Sequence, residues 1–123
     1  MKDEEKSDLR HRTKAFALKI VRLFCSLPKT TEAQVMGRQL LRSGTSVGAH
    51  YREACRAKSD PDFISKIEGG LQELEESCYW LELLAEANIT STESVMPLHK
   101  EAEELIAIFV TMVLKVKASG RRR

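Results

Sequence analysis

The stretch FISKIEGGLQELEESCYWLELLAEA, Phe63 to Ala87, decides how the rest of the chain is read. Ile64, Leu71, Cys78 and Ala85 recur every seven residues, and Ile67, Leu74 and Leu81 form a second seven-residue series. Two interleaved series of this kind describe a helix with a continuous apolar seam. A sustained period of 3.5 residues implies left-handed packing of helix on helix, with the axes nearly aligned. Ser59 opens this helix, with Pro61 in the first turn and Asp62 three residues on.

Outward from this segment the pattern repeats. On the C-terminal side Thr90 and Glu93 have capping-box spacing, and beyond them Leu98, Leu105 and Met112 alternate with Ala102, Phe109 and Val116. On the N-terminal side Leu9, Phe16, Ile20, Leu23, Phe24 and Leu27 follow helical spacing from about Ser7 to Ser26, where Pro28 stops the helix. Thr31 and Gln34 then make a T-x-x-Q capping box for a helix that reaches about Ala57. The breaks are short, so successive helices run antiparallel. No strand pattern or hairpin turn chemistry occurs. The expected fold is all-α, an antiparallel up-down-up-down, left-handed four-helix bundle. It forms one domain over residues 7–118, with flexible charged termini at 1–6 and 119–123.

With 123 residues, 42% apolar and 31% charged, the chain can bury one core and stay soluble. The opening MKDEEKSD is too charged for a secretory signal. The most apolar run, LIAIFVTMVL from Leu105 to Leu114, is about half a membrane span. These features point to a cytoplasmic protein with no membrane partner. Cys25, Cys55 and Cys78 are far apart within apolar-patterned segments, which reads as buried structural thiols ahead of reactive ones or an interchain disulfide.

The apolar surface exceeds what one bundle needs. Phe63, Gly70 and Leu84 mark a second seam on the third helix, and Tyr79, Trp80 and Leu83 widen it. The fourth carries Ile106, Ile108, Val110 and Val113 beside its main seam. A monomeric bundle needs one apolar face per helix, so the surplus predicts a homo-oligomer rather than scattered exposure. Gly44 and Gly48, with Ser43, Thr45, Ser46 and Ala49, would let the second helix approach its neighbours closely on more than one side. Dispersion attraction across such close helices would outweigh a propensity cost of about 1 kcal/mol per glycine. Gly69 and Gly70 would leave the third helix more flexible than its heptads imply.

Nothing organises a reaction centre. A bundle di-metal site needs Glu-x-x-His pairs, and none of His11, His50 and His99 stands three residues after a Glu. His50 and Glu53 are in the reverse order on one helix face, where a hydrogen bond is open to them. No nucleophile motif is legible, and SGTSVGA lacks the lysine and preceding strand of a phosphate loop. Glu73, Glu75 and Glu76 read as a solvated face rather than an acid–base site. The expectation is a non-enzymatic protein without cofactor or metal.

Charge is more suggestive. Residues 1–58 hold 13 Lys/Arg against 6 Asp/Glu, while residues 59–118 hold 4 against 12. Arg10, Arg12, Lys14, Lys19 and Arg22 punctuate the first helix, and Arg38, Arg42, Arg52, Arg56 and Lys58 the second. Arg121, Arg122 and Arg123 end the chain as a flexible cationic arm or a cloning remnant. Two readings stand side by side. These cations bind RNA or DNA phosphates, or they pair with glutamates on neighbouring helices.

The segment SVGAHYREACRAKSDPDF, with ESCYWLELLAEA further on, resembles the bacterial 23S rRNA intervening-sequence family of four-helix bundles. The matching positions are Arg42, Ser43, Ser46, Val47, Ala49, Tyr51, Glu53 and Ala54, then Phe63, then Tyr79, Trp80 and Leu81; Gly48 and His50 lie within the motif. The likeness spans about Phe16 to Val116. His50 departs from it, because the family usually has Asn there; a titratable ring of different shape puts that position's role in question. The resemblance implies a cytoplasmic homopentamer. It also implies kinship with basic accessory proteins of diversity-generating retroelements, which associate with a reverse transcriptase and nucleic acid.

Overall fold

The structure, a computed structural model, describes residues 2–121. It consists of α1 (Asp3–Ser26), α2 (Thr31–Cys55), α3 (Asp60–Glu86) and α4 (Thr92–Arg121), with no strand among the described residues. Each helix packs against the next in the chain, and α1 meets α4 along a slighter contact. Gly37 lies against Leu27 and Phe24, Gly44 against Ile20, and Gly48 against Thr13. Between α2 and α3, Arg42 meets Glu76 and His50 meets Gly69. Between α3 and α4, Glu82 meets His99 and Gly70 meets Phe109.

Local chemistry explains the boundaries, including those placed differently from expectation. α1 starts at Asp3, not Ser7, because Asp3, Glu4 and Glu5 complement the positive end of the helix dipole in its first turn. Leu27 is extended, as the residue before a proline prefers, and ends the helix. The second helix is capped by Thr30 rather than Thr31: its hydroxyl accepts from Ala33 N–H, while Gln34 donates to the Pro28 carbonyl. Ser59 caps α3 as expected, accepting from Asp62 N–H at 3.2 Å. Asn88 then takes φ 58°, and the N–H groups of Asn88 and Ile89 return to the carbonyls of Ala85 and Leu84. This is a Schellman ending, for which asparagine is suited. Thr90 N–H is drawn to the same Leu84 carbonyl, so the cap of α4 falls on Ser91, which accepts from Ser94 N–H.

The heptads sort cleanly by depth. Ile67, Leu74 and Leu81 are fully buried, whereas Ile64, Leu71, Cys78 and Ala85 are half-buried. Phe16, Ile20, Leu40, Val47, Leu105 and Phe109 complete the centre, and Tyr51 stacks on Phe109 with centroids 6.0 Å apart. Burial of this apolar area is the main stabilising term, at roughly 25 cal/mol per Å².

Glycine use differs from expectation. Gly37, Gly44 and Gly48 all serve the α1 side of α2, not several sides. Toward α3, close approach comes from the buried pair Ser43 and Ser77, whose hydroxyl oxygens are 2.9 Å apart, and from glycines on α3 itself. Gly69 and Gly70 are spacers for His50 and Phe109 rather than points of flexibility. The thiols also depart from expectation. All three are free; Cys25 is exposed and Cys55 and Cys78 are half-buried, so none is a core thiol.

Candidate nucleic-acid interface

The arginines and lysines named from the sequence separate into two groups. Helix register sends Arg12 toward α4, where its Nε and Nη2 donate to Glu101 at 3.1 and 2.6 Å, and Nη2 reaches Glu104 at 3.3 Å. Arg42 turns toward α3 and forms a fork with Glu73, at 3.0 and 3.3 Å, and with Glu76, at 2.8 Å. Bidentate arginine–carboxylate pairs are the stronger kind, and they neutralise both partners. Glu73 is only 13% exposed, so it belongs to a bridge rather than to the solvated face expected for it. Arg42 and then the Trp80 N–H hold the Glu76 carboxyl below the usual carboxylate range.

The second group has no such partners. Among the described residues, Arg10, Lys14, Lys19, Arg22, Arg38, Arg52 and Arg56 form no ion pair. Arg10 and Lys14, one turn apart on α1, converge with Arg52 of the last turn of α2 on a surface hollow of about 330 Å³. Lys6 and His11 stand around the same hollow, with Asp3 the one carboxylate lining it. Sequence reasoning missed Lys6. The signal that finds it is its spacing of four from Arg10 and eight from Lys14, which puts all three on one helical stripe.

The remaining cations lie apart from this cluster. Lys19 stands seven residues after Arg12 and shares its stripe, away from the hollow. Arg22 and Arg38 are exposed further along α1 and α2, and Arg56 is the C-cap of α2. Arg121 ends α4, and Arg122 and Arg123 lie outside the described residues.

The motif residues act mainly in packing. Tyr51 is fully buried, its hydroxyl donates to the Lys6 carbonyl at 3.4 Å, and burial raises its pKa. Ser46 bonds the Arg42 carbonyl, and Gly48 admits Thr13. Trp80, counted from the sequence among the apolar groups surplus to one bundle, is half-buried against its own core and T-stacked on Tyr79. His50 rests on Gly69, with its ring nitrogens 4.0 Å from Glu53 and from Glu73, so the hydrogen bond to Glu53 is not made. Glu53 pairs instead with Lys66 at 3.5 Å. Among the described residues no group of three His, Cys, Asp or Glu side chains is placed to hold a metal ion. Nor is any helix among them long and apolar enough to cross a membrane.

Residues 5–111 match the family model described as 23S rRNA-intervening sequence protein. The fold is similar to the crystal structure, at 1.70 Å resolution, of a protein with unknown function from the S23 ribosomal protein family of Bacteroides thetaiotaomicron VPI-5482. That similarity has a TM-score of 0.80 and 36% sequence identity over 85% of this chain and 96% of the other. No curated protein matches the sequence.

Proposed function

The chain belongs to the 23S rRNA-intervening sequence protein family, and from that premise we propose a non-enzymatic, homo-oligomeric accessory protein that binds RNA or DNA. The observation that carries the reading is the hollow between α1 and α2, where Lys6, Arg10, Lys14 and Arg52 meet around a single carboxylate, Asp3, and form no ion pair among the described residues, while Arg12 and Arg42 are neutralised. Unpaired cations on a concave surface focus potential and release counterions when phosphates dock. Contacts of this kind position a nucleic acid without reading its sequence. The protein would present that nucleic acid to an enzyme, for which a reverse transcriptase is the family precedent.

The packing of each helix on its successor supports the antiparallel, up-down-up-down, left-handed arrangement. Exposed Leu18, Val35, Tyr79, Met96 and Leu114 support assembly, with a cytoplasmic pentamer as the form implied by resemblance. The same side chains favour a second reading, a protein–protein scaffold with no nucleic-acid role.

Fluorescence anisotropy of a labelled structured RNA across a salt series tests the first reading. Affinity should fall steeply with salt, and R10E/K14E should abolish most of it, while K100E on α4 should change it little. Equal loss in both variants would mean a general charge effect, and no binding at low salt would leave the scaffold reading.

A further inference from the structure

Where α1 begins and α4 nears its end, four segments enclose a second hollow, of about 420 Å³. Its lining includes half-buried Phe63 of α3 and half-buried Met112 and Val116 of α4. Lys6 of α1, Lys58 of the α2–α3 linker and Lys115 of α4 also line it. Among the described residues none of these three forms an ion pair; the lysine bridges are made by Lys66 and Lys117. Glu5 and Asp60 also line the hollow, so the lysines outnumber the carboxylates.

Solvated lysines alone carry no message. A hollow that combines half-buried apolar side chains with three lysines is another matter, because the two features are complementary to the two ends of one molecule. We infer that this hollow binds a small amphipathic anion, its apolar body on Phe63, Met112 and Val116 and its carboxylate or phosphate head among Lys6, Lys58 and Lys115. The site is separate from the proposed nucleic-acid surface and shares only Lys6 with it. Occupancy would therefore lower the positive potential beside Arg10.

Octanoate, titrated into the full chain carrying methyl-labelled methionine, tests the inference by NMR. Met112 reports from this hollow and from an adjoining one lined by Leu9, Ile108 and Thr111 but not by Lys58. Loss of the shift in the single variant K58E therefore assigns it to this hollow, while Met36 and Met96 lie elsewhere and report detergent-like binding. The expected result is a saturable shift of Met112 alone. K58E/K115E should weaken it by roughly tenfold or more, and neutral octanol should bind less tightly than octanoate. Octyl phosphate run in parallel tells whether the head site prefers phosphate or carboxylate. An unmoved Met112, parallel shifts at Met36, Met96 and Met112, or an affinity indifferent to K58E/K115E would each overturn the inference. None of these outcomes depends on RNA binding, which R10E/K14E tests separately.

Discussion

Gly44 of α2 faces Ile20 of α1 so closely that a Cβ on Gly44 would lie 2.8 Å from Ile20 Cγ1 and 2.9 Å from Cγ2. Ile20 is fully buried, so it has no solvent to move into. The glycine is there for inter-helix distance, since none of the described glycines has a positive φ.

Gly44→Ala should therefore destabilise the protein, although alanine is the better helix former by about 1 kcal/mol. Overpacking of this kind costs about 1–3 kcal/mol and should exceed that gain. At Gly48 the nearest atom to an added Cβ is Thr13 Oγ1 at 3.2 Å, so Gly48→Ala should cost less, and Gly48→Leu should disrupt packing. Urea unfolding gives the order. Ile20→Val should recover part of the Gly44→Ala loss; a double variant no better than the single would place the strain elsewhere.

Ser77 donates its hydroxyl proton to the Glu73 carbonyl at 2.8 Å, which leaves the Ser43 hydroxyl to donate to Ser77 Oγ at 2.9 Å, with the Leu40 carbonyl at 3.3 Å as its longer alternative; both side chains are fully buried. Removing one hydroxyl leaves the other short of a partner at about 1–2 kcal/mol. The S43A/S77A double variant should cost less than the sum of the singles, because no orphan remains. Strict additivity in a double-mutant cycle would mean that the contact carries no coupling.

His99 lies between two carboxylates, with Nε2 2.8 Å from Glu82 of α3 and Nδ1 3.1 Å from Glu103 of α4. A neutral imidazole has one N–H, so only the protonated ring donates to both. The Glu82 bond, ahead of Glu103, raises the His99 pKa. A raised folded-state pKa means stability fully present below the ordinary value of about 6.5 and lost as pH rises through the folded value. Glu82 and Glu103 are both more than half exposed, so solvent and salt screen the pair and keep the effect small, and Glu86 and Lys100 line the same surface. The Tm difference between wild type and H99Q should shrink as pH rises through neutrality. A constant difference would show that the ring does not titrate against these groups.

Cys25 and Cys78 should react at very different rates. Cys25 is exposed, whereas burial, then Glu103, Glu82 and Glu75, push the Cys78 thiol up to about 11. The thiolate is the reactive form, so Cys78 stays largely inert near neutral pH. A disulfide reagent should show a fast phase that C25S removes. Loss of that phase in C78S instead would contradict the burial of Cys78.

Sequence patterning carried the helices well because its causes are local. Heptads in α3 and α4, Pro28 after α1 and Ser59 before α3 act within a turn or two of where they stand. Local signals also erred locally. Thr30 and Thr31 are both competent caps, as are Thr90 and Ser91, and the path of the preceding turn chose between them.

The basic residues were harder to judge. Arg10 and Arg12 are two apart in one helix and chemically alike, yet Arg12 is neutralised by Glu101 and Arg10 forms no ion pair among the described residues. No reading of α1 alone separates them, because the deciding carboxylates lie 89 and 92 residues away.

The sequence by itself determined four amphipathic helices, their order and most of the residues that form the core, since hydrophobic period, capping and proline act through neighbouring backbone; Gly70, Leu84 and Val113, read as surplus to one bundle, are instead buried within it. Only the tertiary structure decided which charges remain free, which glycines are spacers and where the hollows form. Those outcomes depend on distances of about 3 to 4 Å across helix pairs, and such distances are set by how closely Gly44, Gly48, Ser43 and Gly70 let the helices approach.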